Sequence, residues 1–454
     1  MQAKITCYGG AGSPTGANFC IEIENESLDT TERILVDCGM MQGGEEAFER
    51  NNKKFSYDAS KINKLFVTHA HIDHIGLIPK LYKEGFRGEI YSTPETKSIS
   101  ELLLKDAVKI GLEDEKSLYS IHDIENSLLL WDTFKYHEKR DFGNFSVEFY
   151  DAGHILGSTM IRFFFLSGKN MLFTGDIGNS PSPLLPNHEK VTDLDYLLME
   201  SVYGNRNHED RELRDKKFKK VVEESIAKGG TLLIPAFSLE RTQEILSMLD
   251  NLFESNTIPS VPVFLDSPLA IKITDIYEKA RGLYKKEVEE EINRGDEIFR
   301  FPRLKETARA QDSQTIRKVT GAKIIIAGSG MSTAGRILFH EAEYLPDPNS
   351  TILFMGYQAA GTLGRQIEEG VKKINIGEKE IKVLAKIVKI DGYSGHADSD
   401  ALVEFVESSE KTLKKVFIAM GEPISQIFLA QRIMDEFSIK AIATEEGKSY
   451  IIEI

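Results

Sequence analysis

The feature that most constrains this chain is a cluster of histidine and aspartate residues directly after a short apolar run. Residues 65–68 are strand-like, and they are followed by His69-Ala70-His71-Ile72-Asp73-His74. Neighbouring side chains of a strand point to opposite faces, so a turn has to separate His69 and His71 from Asp73 and His74. Imidazole with carboxylate suits zinc, with manganese or iron as alternatives. The spacing therefore predicts ligands for two adjacent metal ions at a strand end.

Two later strand-like segments end in residues that would complete such a centre. Residues 145–150 lead into His154, and residues 170–174 lead into Asp176. Either residue alone would be unremarkable, but together with the first cluster they complete two ligand sets. The first set consists of His69, His71, His154 and Asp176. The second consists of Asp73, His74 and the same Asp176, which bridges the two ions.

The order of elements predicts an α/β protein. Short runs rich in β-branched and aromatic residues alternate with helical periodicity, as over residues 96–110 and 121–131. Several of these runs end in polar residues, at the edge where α/β folds place their sites. Asp37 ends one such run, and it either orients a metal ligand from behind or caps a turn.

The pattern changes near residue 203 and returns to its first style near residue 393. Between these points a second α/β pattern appears, within which residues 275–320 are predicted to be mostly helical. No internal repeat or low-complexity linker is visible. The simplest account is one domain inserted into another, with residues 1–203 and 391–454 forming the outer domain and residues 204–390 the insert.

Charge and hydropathy exclude some classes of protein. The net charge of −15 argues against a protein that coats nucleic acid through nonspecific phosphate contacts. A cleft with divalent metal can still attract phosphate against that field. No apolar run approaches the ~18 residues that cross a bilayer, and the N-terminus lacks the pattern of a secretory signal. The expectation is a cytoplasmic protein that does not associate with a membrane.

Taken in order along the chain, these motifs resemble the metallo-β-lactamase fold, and the inserted region resembles the β-CASP branch of that superfamily, the RNA- and DNA-processing nucleases. Further signatures of the branch match residues 200–204, 235–241, 266–268, 328–336, 356–365 and 394–398. The resemblance implies an αββα sandwich with an inserted α/β domain. Most signatures look like those of bacterial and archaeal RNA enzymes, and they are similar to the endonuclease of the pre-mRNA cleavage and polyadenylation machinery.

The resemblance also implies roles for residues outside the metal ligands. His396 matches the general acid that protonates the departing oxygen, and Glu200 matches the carboxylate that keeps this imidazole charged and oriented. Asp73 is counted with these catalytic residues as well as with the ligands.

Contacts to phosphate are expected from the inserted domain. The glycine-rich segment 328–335 can present backbone N–H groups, although a tight turn beside a buried strand would look the same. Side chains that could join it are Arg241, Ser332, Thr333, Arg336 and Arg365. An ordinary helix-surface arginine is the alternative for each of the three arginines. His340, in an apolar helix, is predicted to be structural.

One position departs from the family pattern. The family usually has a ligating histidine in a His-Gly-Glu segment after a late strand, whereas this chain has Met420-Gly421-Glu422. A thioether is a poor zinc ligand among hard oxygens, so the second ion should bind more weakly. DNA-processing members also lack that histidine, which weakens the assignment to RNA without overturning it.

The main hypothesis is a metal-dependent ribonuclease that hydrolyses single-stranded RNA in a groove between the two domains. A metal-bound hydroxide would attack in place of the ribose 2′-hydroxyl, leaving 5′-phosphate and 3′-hydroxyl ends. Two Zn²⁺ ions are expected, with Mn²⁺ as the alternative and the second site weakened by Met420. The alternatives are a DNA nuclease of the same fold, a catalytically weakened RNA-binding scaffold and a hydrolase of small esters. A homodimer would help so acidic a chain hold a long substrate.

Overall fold

The computed structural model describes residues 2–25, 30–113, 117–209, 211–359 and 361–454. The chain divides into two compact units, one formed by residues 1–207 with 395–454 and the other by residues 208–394. We call them unit 1 and unit 2. The domain boundaries predicted from the sequence, at 203/204 and 390/391, lie near these divisions without coinciding with them.

The strands alternate along the chain with the helices given below. In chain order they are β1 (Gln2–Gly9), β2 (Asn18–Asn25), β3 (Thr30–Val36), β4 (Lys64–Phe66), β5 (Glu89–Ser92), β6 (Trp131–Thr133), β7 (Arg140–Asp141), β8 (Phe145–Asp151), β9 (Thr159–Phe165), β10 (Asn170–Phe173), β11 (Tyr196–Met199), β12 (Thr231–Pro235), β13 (Val263–Asp266), β14 (Leu304–Glu306), β15 (Lys323–Ala327), β16 (Thr351–Phe354), β17 (Lys373–Ile376), β18 (Lys379–Lys382), β19 (Lys386–Lys389), β20 (Lys415–Ile418), β21 (Lys440–Ala443) and β22 (Ser449–Glu453).

The helices differ widely in length. In chain order they are α1 (Glu45–Asn52), α2 (Ile72–Ile75), α3 (Ile78–Lys83), α4 (Pro94–Glu113), α5 (Ile121–Leu129), α6 (Arg211–Lys228), α7 (Arg241–Glu254), α8 (Pro268–Tyr277), α9 (Lys286–Asn293), α10 (Ala310–Ser313), α11 (Arg336–Tyr344), α12 (Leu363–Glu368), α13 (Ser399–Glu407) and α14 (Pro423–Phe437), with 3₁₀ turns at Ala59–Lys61 and Ile316–Lys318. Within the described part of the chain, no helix has the length and apolar character needed to cross a membrane.

Unit 1 contains two seven-stranded sheets within its described residues. Their orders are β22-β1-β2-β3-β4-β5-β6 and β21-β20-β11-β10-β9-β8-β7. The inner faces of both sheets share one core, in which Phe19 and Val36 of the first sheet pack with Phe163, Phe173 and Phe417 of the second. Alternate residues of β8 are buried, as expected for a strand with one face on a core.

Helices cover the outer face of each sheet. Leu81 of α3 and Ile124 of α5 belong to the core behind the first sheet. Leu402 of α13 and Ile433 of α14 belong to the core behind the second. The order of layers is therefore helix, sheet, sheet and helix, which confirms the predicted αββα sandwich.

Unit 2 is built around a parallel sheet of its own. Among its described residues this sheet has six strands in the order β14-β13-β15-β12-β16-β19, and every pairing is parallel. All residues of β12 and β15 are buried, because helices flank a parallel sheet on both faces. The expectation that residues 275–320 are mostly helical is wrong. Short elements occupy that region, because Gly282 and Gly295, both with positive φ, and Pro302 interrupt it.

Candidate metal centre

The polar residues of the candidate site follow the carboxyl ends of strands in both sheets of unit 1. β3 is followed by Asp37, and its parallel neighbour β4 leads into His69. In the second sheet, β8 leads into His154, β10 into Asp176 and β11 into Glu200. Parallel strands end at the same edge of a sheet, so these residues gather there although they are far apart in sequence.

Four ligand atoms form a compact set. The Nδ1 atom of His71 lies 3.1 Å from Nε2 of His69 and 3.1 Å from Nε2 of His154. The Oδ2 atom of Asp176 lies 3.4 Å and 3.6 Å from the same two Nε2 atoms. Zinc–nitrogen bonds of 2.0–2.1 Å give a tetrahedron whose edges are about 3.3 Å. The set therefore has the spacing of tetrahedral zinc ligands.

Hydrogen bonds fix which ring nitrogen of each histidine is available. Nδ1 of His154 lies 2.8 Å from the carbonyl oxygen of Gly395, which can only accept, so Nδ1 donates and Nε2 keeps its lone pair. A side chain at position 395 would meet the His154 ring at 2.9 Å, so this approach requires glycine.

Hydrogen bonds to Asp37 orient two further histidines of the site. The Asp37 carboxylate accepts hydrogen bonds of 2.8 Å from both the backbone N–H and the hydroxyl of Thr68. It also lies 2.7 Å from Nδ1 of His74. The Thr68 oxygen, having donated its proton to Asp37, can accept from Nδ1 of His69 at 3.0 Å. One buried carboxylate thus orients two imidazoles, as second partners of metal ligands commonly do.

The electrostatic state of the first set suits a divalent cation. Burial lowers the pKa of His69, and it lowers the pKa values of His71 and His154 well below their usual range. Burial would raise the pKa of Asp176, but nearby imidazoles, chiefly those of His74 and His396, outweigh it and hold this pKa well below its usual range. Neutral imidazoles and an ionised carboxylate are the forms that bind metals.

A second candidate metal position lies between Asp176 and His74. The Oδ1 atom of Asp176 and Nε2 of His74 are 3.4 Å apart, and both are buried with no hydrogen-bond partner among the described residues. Burial lowers the pKa of His74, but the carboxylates of Asp176 and Asp37 outweigh it and raise this pKa well above its usual range. Buried atoms of this kind are costly unless a proton or a cation lies between them.

The third member of the predicted second set is less closely placed. The described clusters of metal-binding residues whose ligand atoms lie within 4.8 Å of one another do not include Asp73. The first predicted set does form such a cluster, and so do Asp176, Glu200 and His396. The residues present therefore fit one complete metal position and a partial second one.

His396 lies beside this centre and is fixed by backbone pairing. On one side of it, Ala397 N–H donates to the Ile177 carbonyl at 2.7 Å, and on the other side the Gly395 carbonyl accepts from Asn179 N–H at 2.9 Å. The Nδ1 atom of His396 lies 3.2 Å from Oε1 of Glu200. Burial lowers the pKa of His396, but the carboxylates of Glu200 and Asp176 outweigh it and raise this pKa to about 9. The two carboxylates therefore favour the protonated imidazole.

Comparison with known proteins places this fold and centre in a family. Residues 15–213 match the family model of the metallo-beta-lactamase superfamily, residues 242–367 that of the Beta-Casp domain, and residues 380–444 that of the Zn-dependent metallo-hydrolase RNA specificity domain. A ribonuclease of Thermus thermophilus, Ribonuclease TTHA0252, is 32% identical over 90% of this chain and 92% of its own length. The chain belongs to the β-CASP branch of the metallo-beta-lactamase superfamily.

Two further relatives show nearly the same sequence identity. The RNase J-like protein of Methanocaldococcus jannaschii is 31% identical over 94% of this chain and 95% of its own length. The transcription termination factor FttA of Methanosarcina mazei is 31% identical over 97% of this chain and 70% of its own length. The resemblance inferred from the motifs is confirmed, and the chain is a hydrolase of this metal-binding family.

Met420 occupies the sequence position at which the resemblance implies a histidine. It follows β20, whose parallel neighbour β11 leads into Glu200, and its carbonyl accepts a hydrogen bond of 3.1 Å from Ser201 N–H. The side chain is 2% exposed and belongs to the core between the sheets. Its φ of 44° is in the left-handed region, and a Cβ at Gly10 would meet its sulfur at 2.5 Å. Met420 therefore contributes a packed thioether to this edge.

Two of the arginines predicted to contact phosphate are already paired inside unit 2. Arg336 donates to the buried carboxylate of Asp266 at 2.6 Å and also to the Thr307 carbonyl. Arg241 is largely buried and pairs with the buried Glu244. Internal acceptors therefore occupy both guanidinium groups, and the alternative of a structural role is the better account of them.

The other three candidates differ in exposure. Ser332 is 1% exposed and donates its hydroxyl to the buried Glu341, so its side chain does not face solvent. Thr333 is exposed, with its hydroxyl 3.0 Å from that of Ser329. Arg365 is partly exposed, with 39% of its side chain accessible, and pairs with Glu369 at 2.7 Å across one helical turn, an ion pair that a phosphate could displace at little cost.

His340 is buried, as a structural role requires, and its Nε2 lies 2.7 Å from Oδ2 of Asp266. Sequence reasoning missed Thr68, although it immediately precedes the ligand cluster. It also missed Gly175, whose φ is 54° and whose Cβ would meet the Thr68 side chain at 2.7 Å. A signal was present, since a glycine directly before the bridging aspartate indicates a position where the backbone must approach closely.

Proposed function

We propose that this protein is a metal-dependent ribonuclease that hydrolyses phosphodiester bonds of single-stranded RNA. The observation that carries the proposal is the shared position of Asp176, which lies within reach of the His69–His71–His154 set and of the charged His396. The ribonuclease named among the relatives, and the match to an RNA specificity domain, support RNA as the substrate.

His69, His71, His154 and Asp176 would hold the first divalent ion, and His74 and Asp176, with Asp73 added, would hold the second. When bound, such ions activate water as a nucleophile and neutralise charge on the phosphate. The buried Asp37 and Thr68 orient His69 and His74 so that their lone pairs face the ions. Zinc suits this donor set best, and manganese is the alternative.

His396 would act as the general acid. Its Nδ1 faces Glu200, so Nε2 is the atom that can give a proton to the departing oxygen. Glu200 is itself held by the N–H of Ile177 at 2.7 Å, which fixes the direction of the imidazole. Water attacks the phosphorus and the bond to the 3′-oxygen breaks, with the proton from His396 going to that oxygen, so the products carry 5′-phosphate and 3′-hydroxyl ends and the ribose 2′-hydroxyl takes no part.

The proposal also covers the cellular compartment of the protein, its RNA contacts and its oligomeric state. Three free and buried cysteines, Cys7, Cys20 and Cys38, suit the reducing conditions of the cytoplasm. Contacts from Thr333 and Arg365 to the RNA backbone remain part of it, since Thr333 is exposed and the Arg365 side chain is half-buried with its guanidinium group in a surface ion pair. A homodimer would double the surface available to a long RNA, and light scattering of the purified chain measures its mass directly.

The testing experiment compares cleavage of an internally labelled single-stranded RNA and of single-stranded DNA with the same sequence. Zinc-loaded and manganese-loaded proteins are compared with His71→Ala, which removes one histidine of the first ligand set. We expect cleavage of RNA by the native chain, none by the variant, and products that a 5′-phosphate-dependent exonuclease degrades.

Other outcomes would select the remaining candidates. Equal or faster cleavage of DNA would indicate a DNA nuclease. RNA binding without cleavage, in protein shown to contain metal, would indicate a scaffold, for which the supporting observation is that Met420 stands in place of the family's usual histidine. Products with 2′,3′-cyclic phosphate ends would overturn the proposed mechanism.

A further inference from the structure

A second group of acidic side chains lies in unit 2, outside the centre described above. Asp250 and Glu254 belong to the end of α7, and Asp296 follows α9. One carboxylate oxygen from each of the three lies within 4.8 Å of the other two. Like charges this close repel strongly unless a positive charge lies among them.

The burial of Asp250 sets this group apart from an ordinary acidic surface. Its side chain is 4% exposed, and among the residues that the structure describes no donor hydrogen-bonds to its carboxylate. Three carboxylates that converge at so largely buried a residue, with no hydrogen-bond donor among them in the described part of the chain, are seldom kept without a proton or a cation. Burial, reinforced by the charges of Asp296, Glu254 and Glu291, raises the pKa of Asp250 to about 7.

The surrounding backbone adds further negative potential. Asp250 and Glu254 are four residues apart on one helix face, a spacing that is unfavourable for like charges. Both lie in the last turns of α7, which has no basic residue at that end. The C-terminal end of a helix carries a partial negative charge, so carboxylates are disfavoured there.

The C-terminal end of α9 adds negative potential in the same way. Asp296 N–H donates to the carbonyl of Glu291, in the last turn of α9, at 3.2 Å. Gly295, between them, has a φ of 98°, a conformation that glycine adopts without strain. Two helix C-termini and three carboxylates therefore converge.

Local basic residues do not neutralise the group. None of Asp250, Glu254 and Asp296 forms an ion pair within the described ranges, and Arg294 pairs instead with Glu290 at 3.3 Å. Carboxylate oxygens with no nitrogen or sulfur ligand are the donors that calcium, magnesium and manganese prefer over zinc.

We propose that Asp250, Glu254 and Asp296 bind a hard divalent cation, with calcium as the best fit, and that this ion joins the end of α7 to the segment after α9. Calcium accepts six to eight oxygens at 2.3–2.6 Å in flexible geometry, so two ligand oxygens of one ion can be up to about 4.8 Å apart. The remaining positions would be filled by water and backbone carbonyls. This site is separate from the proposed ribonuclease centre and does not depend on it.

The test uses the full chain with its zinc sites loaded, dialysed against radioactive Ca²⁺ and followed by hydrogen exchange. We expect one Ca²⁺ for each native chain, and slower exchange of amides in residues 241–254 and 286–296 when the ion is present. At a tenfold excess over the dissociation constant, the melting temperature of this unit should rise by about 3–6 °C. Mg²⁺ and Mn²⁺ in parallel dialyses show which cation binds most tightly.

Asp250→Asn and Asp296→Asn should lose the bound Ca²⁺ and the protection. Glu287→Gln removes one charge at the opposite end of α9 and should keep both. Because Asp250 is buried, Glu254→Gln, at an exposed position, serves if Asp250→Asn does not fold. If the native chain bound none of Ca²⁺, Mg²⁺ and Mn²⁺, the proposal would be overturned and Asp250 would simply be protonated. Equal Ca²⁺ binding by Asp250→Asn and the native chain would also overturn the proposal.

Discussion

At the scale of single residues, hydrogen bonds link Asp37 to Thr68 and Thr68 to His69. This part of the centre depends on how the fold brings the residues together and is not visible in the histidine motif. The hydroxyl of Thr68 donates to Asp37 and accepts from His69, so it carries orientation from one carboxylate to a second ligand. Valine has nearly the same shape but can do neither.

Thr68→Val should therefore weaken metal binding by about 10- to 100-fold, the effect typical of losing an outer partner of a ligand. Competition with a chelator of known affinity measures this loss. Thr274→Val, which removes another buried threonine hydroxyl in unit 2, is the matched control and should leave metal affinity unchanged. Equal affinities of all three proteins would mean that Thr68 is not needed for ligand orientation.

The proposed division of labour between ligands and acid gives a second prediction. His71→Ala or Asp176→Ala should empty the first metal position and abolish activity. His396→Ala should keep the metal and slow cleavage by roughly 10² to 10⁴-fold, because it removes only the proton donor. Metal content by mass spectrometry and single-turnover rates separate the two effects, and an equal loss of zinc in the variants would refute the division.

Met420 gives a third prediction at this scale. Met420→His should raise occupancy at the second metal position, because imidazole is a better zinc ligand than a thioether. Histidine also tolerates the left-handed backbone at this position, where φ is 44°. Metal-to-protein ratios after dialysis against limiting zinc measure the change. An unchanged ratio would show that residue 420 is not close enough to contribute a ligand.

At the scale of elements, the glycine-rich segment 328–335 is attached to α11 by the hydroxyl of Ser332, which donates to Glu341. Glu341 is fully buried and its second oxygen has no partner within the described residues. Burial raises the pKa of Glu341 from 4.5 to about 7, despite the hydrogen bond from Ser332. The folded state therefore favours the protonated form.

The stability that this protonated carboxyl provides is complete below pH 4.5 and lost as the pH rises through about 7. Glu341→Gln should accordingly be stabilising by on the order of 1–3 kcal/mol at pH 8 and have little effect at pH 4.5. Urea unfolding at both pH values measures this. The exposed Glu343→Gln is the control and should show no such pH dependence. An effect of Glu341→Gln that is the same at both pH values would contradict the assignment.

The sequence predicted elements well where one interaction dominates and poorly where several compete. β4, β8 and β10 were predictable because apolar runs ended in polar residues, and the first ligand set follows from those strand ends. The short elements of residues 275–320 were not predictable, since charged residues mixed with apolar ones occur both in surface helices and in loops. The pairing of Arg336 with Asp266 and the approach of Asp250 to Asp296 depend on tertiary contacts that sequence spacing does not encode.

At the scale of the whole molecule, the net charge of −15 opposes RNA, so binding must depend on a limited number of local contacts. The logarithm of the RNA affinity should fall linearly with the logarithm of salt concentration, with a slope near −0.7 for each phosphate neutralised on a single strand. Titrations of metal-loaded His396→Ala with labelled RNA measure this slope while cleavage is slow. Arg365→Gln should reduce its magnitude by about 0.7, and an unchanged slope would remove Arg365 from the contacts.

The pairing of β1 with β22, and of β11 with β20, joins segments of unit 1 that lie on either side of unit 2 in the sequence. During synthesis, residues 395–454 emerge from the ribosome only after all of unit 2 has been made. A nascent chain therefore holds His69, His71 and Asp176 without His396 while residues 177–395 are being made. The proposed nuclease would gain its proton donor only near the end of translation, which would spare the messenger RNA being read beside it.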